Sequence, residues 1–180
     1  MPGLPLIYYG DEIGMRFLRG LAEKEGSMWR TGCRTPMQWS RNPNLGFSTA
    51  PARRLYLPVD PSDSAPTVEE QLADSDSLLA HTRKLLALRR AHPALANKAT
   101  FTPLYARRRR VPFVYQRSHG GQTIIVAINP AGKKCHATIT VARGSKFQPL
   151  LQVGIGRTMT RGRKTHFHLG PGSAVILLQE

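Results

Sequence analysis

The chain has 180 residues, a formal net charge of +15 and 41% hydrophobic residues. That length excludes a complete eight-fold β/α barrel, which needs roughly 250 residues, and no apolar run reaches the ~18 residues of a membrane span. The charge is uneven: residues 1–100 hold 13 Lys and Arg against 10 Asp and Glu, whereas residues 101–180 hold 13 against the single acid Glu180. Cys33 and Cys135 are too few for a disulfide framework and fit a reducing, cytoplasmic setting.

Residues 1–9 are apolar but lack the basic stretch and cleavage site of a signal peptide. The run Leu4 to Tyr9 is therefore predicted as a strand buried on both sides, ending at Gly10. Gly10 and Gly14 bracket Asp11 and Glu12, which places two carboxylates just beyond the strand. Residues 16–66 show little periodicity and are rich in Pro, Gly, Ser and Arg. Trp29, Met37, Trp39, Phe47, Leu55 and Tyr56 argue that this long connection is an ordered loop packed on something.

Thr67, with Glu70 three residues on, makes a capping-box pattern that opens a helix. After a break around residues 74–77, a second helix carries Leu78, Leu79, Thr82, Leu85 and Leu86 on one face, and Pro93 stops it. From residue 99 the period changes to two. Strand candidates cover 101–106, 111–117, 122–129, 136–141, 147–153, 165–169 and 174–179, with Gly- and Pro-containing turns between them. Short strands at this spacing predict an antiparallel sandwich of about seven to eight strands. The expected boundary divides residues 1–97 from 98–180.

Arg-Thr-Pro-Met-Gln-Trp (34–39), followed by Gly46-Phe47-Ser48-Thr49, is the strongest motif. Together with Leu4 to Met15, Leu55 to Val59, Val68, Gln71, Asp74 and Ser77 to Leu79, it resembles the α-amylase superfamily (glycoside hydrolase family 13), among them α-glucosidases, oligo-1,6-glucosidases and trehalose synthases. Pro112 to Tyr115 and Val126 to Pro130 resemble the same family less specifically. The resemblance implies an α+β chain: the last strand (about 4–9), pocket loop (10–66) and last helices (about 67–92) of a (β/α)8 barrel, then the β-sandwich. It also implies a retaining enzyme acting on an α-glucoside or maltooligosaccharide, with the N-terminal part of the barrel as a missing partner.

Arg34 matches the arginine that, in relatives, donates hydrogen bonds to glucose hydroxyls; a rigid donor fork suits adjacent hydroxyls. The alternative is an arginine bracing the loop. Where many oligo-1,6-glucosidases carry an acid just before this arginine, the present chain has Arg30-Thr31-Gly32-Cys33. Asp11 and Glu12 are read in a structural or pocket-rim role, with direct sugar contact as the alternative, rather than as a catalytic pair, because adjacent residues at a strand end point in different directions. The family's three catalytic carboxylates have no match here, including the Asn-His-Asp motif, so no catalytic residue is assigned and the chain alone is expected to be inactive. Trp29, Trp39 and Phe47 are read as buried loop anchors rather than stacking platforms. His166 and His168, two apart on a strand, are too few for zinc, and Asp60 with Asp63 lacks the ligand count for calcium. No metal, cofactor or membrane is implied. The basic tail reads as a solvated face; without a nucleic-acid motif, nucleic acid is not an expected partner. A different class of protein, a stand-alone basic β-sandwich module binding a glycan or polyanion, stays open.

Overall fold

In a computed structural model that describes residues 3–26 and 28–180, the chain divides into two units, Pro5–Leu86 and a second formed by Ala87–Glu180 with the first few residues. Among the described residues there are two α-helices, α1 (Val68–Ala73) and α2 (Leu78–Ala91), and eight strands: β1 (Thr100–Tyr105), β2 (Phe113–His119), β3 (Gln122–Asn129), β4 (Cys135–Thr140), β5 (Phe147–Val153), β6 (Gly156–Arg161), β7 (Lys164–Leu169) and β8 (Ser173–Gln179). None of the helices is long and apolar enough to cross a membrane.

The strands form an antiparallel sandwich, with a five-stranded sheet in the order β1-β2-β3-β8-β5 and a three-stranded sheet in the order β4-β7-β6. The register follows from period-two burial. Val114, Ile125, Ala127, Val175 and Leu177 of one sheet face Ala137, Ile139, Phe167 and Leu169 of the other, and all are buried. Strand β3 is covered on both sides, because Ile124 and Val126 pack with Tyr115, Ile176 and Ala94 on the outer face of the larger sheet. Leu88 of α2 and Leu95 add to that second layer. Gly120 and Gly121, both at positive φ, close the β2–β3 hairpin with the two-residue turn that strand twist favours.

One buried polar side chain ties a loop to the opposite sheet. Asn129, at the end of β3, donates to Lys133 O at 2.8 Å and Gly170 O at 2.5 Å, and its oxygen accepts from Ala131 N–H at 3.2 Å. A fully buried amide needs such partners, and Asn129 has them.

Two expectations from the sequence are corrected. Residues 4–8 form no strand and are exposed, with Leu6 87% accessible. A strand needs a neighbour's backbone ladder, and among the described residues only the Tyr8 carbonyl of this run is met by another backbone group, the Asp11 N–H of the following turn. Strand β6 is an addition: Gly156, Arg157, Thr158 and Thr160 dilute its apolar pattern, and it is held by pairing with β7. The helices match the expected bounds, and the Thr67 hydroxyl accepts from Glu70 N–H at 3.3 Å. Helix α2 has no buried residue, and Leu78, Leu85 and Leu86 are all exposed.

Phe167 sits fully buried on the central strand of the smaller sheet. Phe167→Ala is expected to cost the sandwich about 3–5 kcal/mol, read as a lower denaturant midpoint with little change in slope. A loss below about 1 kcal/mol would contradict this packing.

Candidate functional site

The residues of interest in Pro5–Leu86 are held by a chain of backbone contacts rather than by a sheet. A short 3-10 turn, Asp11–Ile13, is flanked by Gly10 at φ 90° and Gly14 at φ 72°, conformations that cost glycine nothing. Arg34 ends a second such turn, Thr31–Cys33, with its N–H donating to Thr31 O at 3.0 Å. The next four residues, Thr35 to Gln38, are buried. The Tyr9 hydroxyl donates to Thr35 O at 3.0 Å. Gln38 donates through its side-chain amide to Pro66 O at 2.5 Å, and its carbonyl accepts from Val68 N–H at 3.0 Å. Trp39 O accepts from Glu69 N–H at 2.9 Å.

The flanks are fixed as well. Arg16 makes a bidentate pair with buried Asp60 at 2.8 and 2.9 Å. Gln71 donates to Ile13 O at 2.7 Å and accepts from Leu79 N–H at 2.9 Å. Arg41 forks onto Glu70 at 2.7 and 2.9 Å, and this pairing, with the Thr67 hydroxyl, holds the Glu70 carboxyl below its usual range. Asn44 and Leu45 both adopt positive φ, so the chain reverses sharply there and brings Phe47 back beside Trp39.

These contacts shape a hollow of about 440 Å³ lined by Tyr9, Glu12, Arg34, Trp39, Phe47 and Tyr56, with Pro36, Met37 and Leu57 at its wall. Its size lies within the range of small-ligand pockets. Arg34 has no carboxylate partner among the described residues, and Glu12 Oε2 is buried without a hydrogen bond. The hollow is thus lined by an unengaged guanidinium and by Glu12, one of whose carboxylate oxygens is buried without a partner, between aromatic faces. The Tyr9 hydroxyl is pushed up to about 12, by burial first and then by Tyr8, so it remains a donor at neutral pH. Burial, with Glu25 nearby, raises the Tyr56 hydroxyl as well. Such a surface suits a neutral, hydroxyl-rich ring: donor fork and acceptor for hydroxyls, flat apolar faces for the C–H side.

Of the three residues singled out from sequence, Arg34 and Glu12 meet at this hollow. Asp11 does not line it; its carboxylate accepts from Tyr8 N–H at 3.1 Å, because the tight turn sends neighbouring side chains in different directions. The aromatic residues expected as buried anchors are accessible instead: Trp29 at 84%, Trp39 and Phe47 each at 49%. Tyr9 and Tyr56 were not singled out as site residues, although both lie in motifs that carry the family resemblance. No cluster of metal-binding side chains occurs among the described residues.

A family model described as alpha amylase, catalytic domain, matches residues 1–98. The trehalose synthase/amylase TreS of Mycobacterium tuberculosis is 49% identical over 100 residues, covering 53% of this chain and 16% of that protein. A trehalose synthase of Thermus thermophilus is 38% identical over 135 residues, 72% of this chain and 13% of the relative. An oligo-1,6-glucosidase of Halalkalibacterium halodurans is 28% identical across 99% of this chain and 36% of its own length. The crystal structure of trehalulose synthase MutB from Pseudomonas mesoacidophila superposes with a TM-score of 0.80 at 21% identity, covering 99% of this chain and 36% of that one. The chain therefore spans between about one eighth and about one third of the length of these relatives.

Gly32 is the tightest point of the loop that delivers Arg34. A Cβ there would lie 2.2 Å from Leu18 O, a backbone atom that cannot swing aside. Gly32→Ala is expected to destabilise this region by about 1–3 kcal/mol and to speed hydrogen exchange at the Leu18 amide, which now donates to Gly32 O at 3.1 Å. Unchanged exchange at Leu18 would show that this approach is not what fixes the loop.

Proposed function

Because the chain belongs to the α-amylase catalytic-domain family, we propose that it forms the C-terminal portion of a retaining enzyme acting on α-linked glucosides. In this reading residues 1–97 complete a (β/α)8 barrel whose other strands come from a further segment, and residues 98–180 form its β-domain. The observation that carries the proposal is that Arg34, without a carboxylate partner, and Glu12 line one aromatic-walled hollow. Arg34 donates to two adjacent hydroxyls of a glucose ring, Glu12 accepts from another, and Trp39, Phe47 or Tyr56 covers a face of the ring. Asp11 acts as a brace for the turn that presents Glu12.

The chemistry is expected to reside in carboxylates outside this chain: a nucleophile that forms a glucosyl-enzyme intermediate and an acid that protonates the leaving oxygen. The present residues bind and orient the sugar. The two free cysteines, Cys33 and Cys135, agree with a cytoplasmic setting. The rival reading, a free-standing basic sandwich module, rests on charge and gives the Arg34 hollow no role.

The test has two parts. The chain alone should give no hydrolysis of a chromogenic α-glucoside above background. Residues 3–98 exchanged for the matching segment of the Mycobacterium tuberculosis trehalose synthase/amylase should retain activity, and Arg34→Ala in that exchange should raise KM at least about tenfold, the loss expected for a charged hydrogen bond. An active exchange indifferent to Arg34 would remove the sugar-binding assignment; turnover by the chain alone would remove the fragment assignment.

A further inference from the structure

The outward face of the three-stranded sheet is not used by the α-glucoside reading. Register pairs His136 with His168 and His168 with Arg157, so the first row across β4, β7 and β6 reads His, His, Arg. The next rows are Thr138, His166, Met159 and Thr140, Lys164, Arg161. Cross-strand partners share a face, and no acid occupies any of these nine positions. At the first row the surface becomes concave. A hollow of about 340 Å³ is lined by Lys134, His136, Arg157 and His168, with Ile155 supplying apolar surface. The two imidazoles lie nearly parallel, their centroids 6.4 Å apart at 28°. Neither ring, nor Lys134, nor Arg157, has a hydrogen-bond or carboxylate partner among the described residues.

Four basic side chains around one hollow with no counter-charge repel one another when ionised, and an anion among them relieves that repulsion. The donor set selects the anion. Arg157 offers a planar fork, Lys134 a point charge with three donors, and each imidazole a ring N–H. A planar carboxylate has two oxygens and leaves part of this set idle, whereas a phosphate group presents three terminal oxygens to it. The volume exceeds what an anion alone fills, and the exposed Ile155 side chain offers an apolar wall to whatever the phosphate is attached to. We propose that this hollow binds the phosphate group of a small phosphate ester such as a sugar phosphate. The proposal stands on the sandwich alone and is independent of the Arg34 assignment. Sequence reading stops at His166 and His168 on one strand; the neighbours His136 and Arg157 come only from register.

The experiment uses the full chain and follows its imidazole C–H signals by NMR at constant ionic strength. Titration with inorganic phosphate should shift His136 and His168 saturably and leave His92 and His119 in place. Glucose 1-phosphate should bind several-fold tighter than inorganic phosphate. Lys134→Gln and Arg157→Gln, both at exposed positions, should each weaken binding at least about tenfold, with the amide spectrum confirming the fold. Arg108→Gln, which removes the same charge in the β1–β2 turn, should change nothing. Equal weakening by Arg108→Gln, or a joint drift of all histidines without saturation, would reduce the effect to diffuse charge and overturn the site. Equal affinity for the two probes would overturn the ester assignment.

Discussion

Helix α1 starts by giving its first amide protons to another segment: Val68 N–H goes to Gln38 O and Glu69 N–H to Trp39 O. The first N–H groups of any helix lack partners within the helix, and here they anchor the stretch that follows Arg34. Everything about the aromatic hollow depends on this exchange. Thr35 to Gln38 are buried without being part of a sheet, so their polar groups must be met one by one. Tyr9, Pro66 and the α1 amides meet them. With the segment clamped on both sides, Arg34 at one end and Trp39 at the other lose much of the freedom that a loop would give them. A hollow built from such parts needs no sheet of its own, but it does need the clamp.

The sandwich is organised by a different economy. Strand β3 is buried on both faces, so it serves two apolar layers, one between the sheets and one under Ala94 and Leu95. The outward face of the smaller sheet has no such cover. It carries solvated basic residues, whereas on the covered face of the larger sheet Arg117 is buried and donates to Ala96 O.

Most of the strand pattern was legible because alternate burial leaves a period of two in residues such as Ile125, Ala127, Val175 and Leu177. β6 escaped since its inner positions, Gly156, Thr158 and Thr160, are small or polar, and its existence rests on pairing with β7. Leu4 to Tyr9 failed in the opposite sense: its composition is that of a buried strand, but composition cannot supply a neighbour. Arg34 and Glu12 were legible through motif resemblance, while their meeting required the turns at Gly10, Gly14 and Asn44–Leu45. Adjacent residues in a tight turn diverge, which is why Asp11 parted from Glu12. The accessible Trp39 and Phe47 could not be separated from buried anchors by spacing alone, since both uses favour the same residue types.

Asn129 holds the β3–β4 turn to the end of β7 through one carboxamide. Spontaneous loss of ammonia from such a group proceeds by ring closure, in which the next residue's backbone nitrogen attacks the side-chain carbonyl. Here that nitrogen belongs to Pro130, which has no hydrogen to surrender. The residue whose conversion to an acid would set a negative charge against two carbonyl oxygens is therefore shielded by its own successor from the commonest route of chemical ageing.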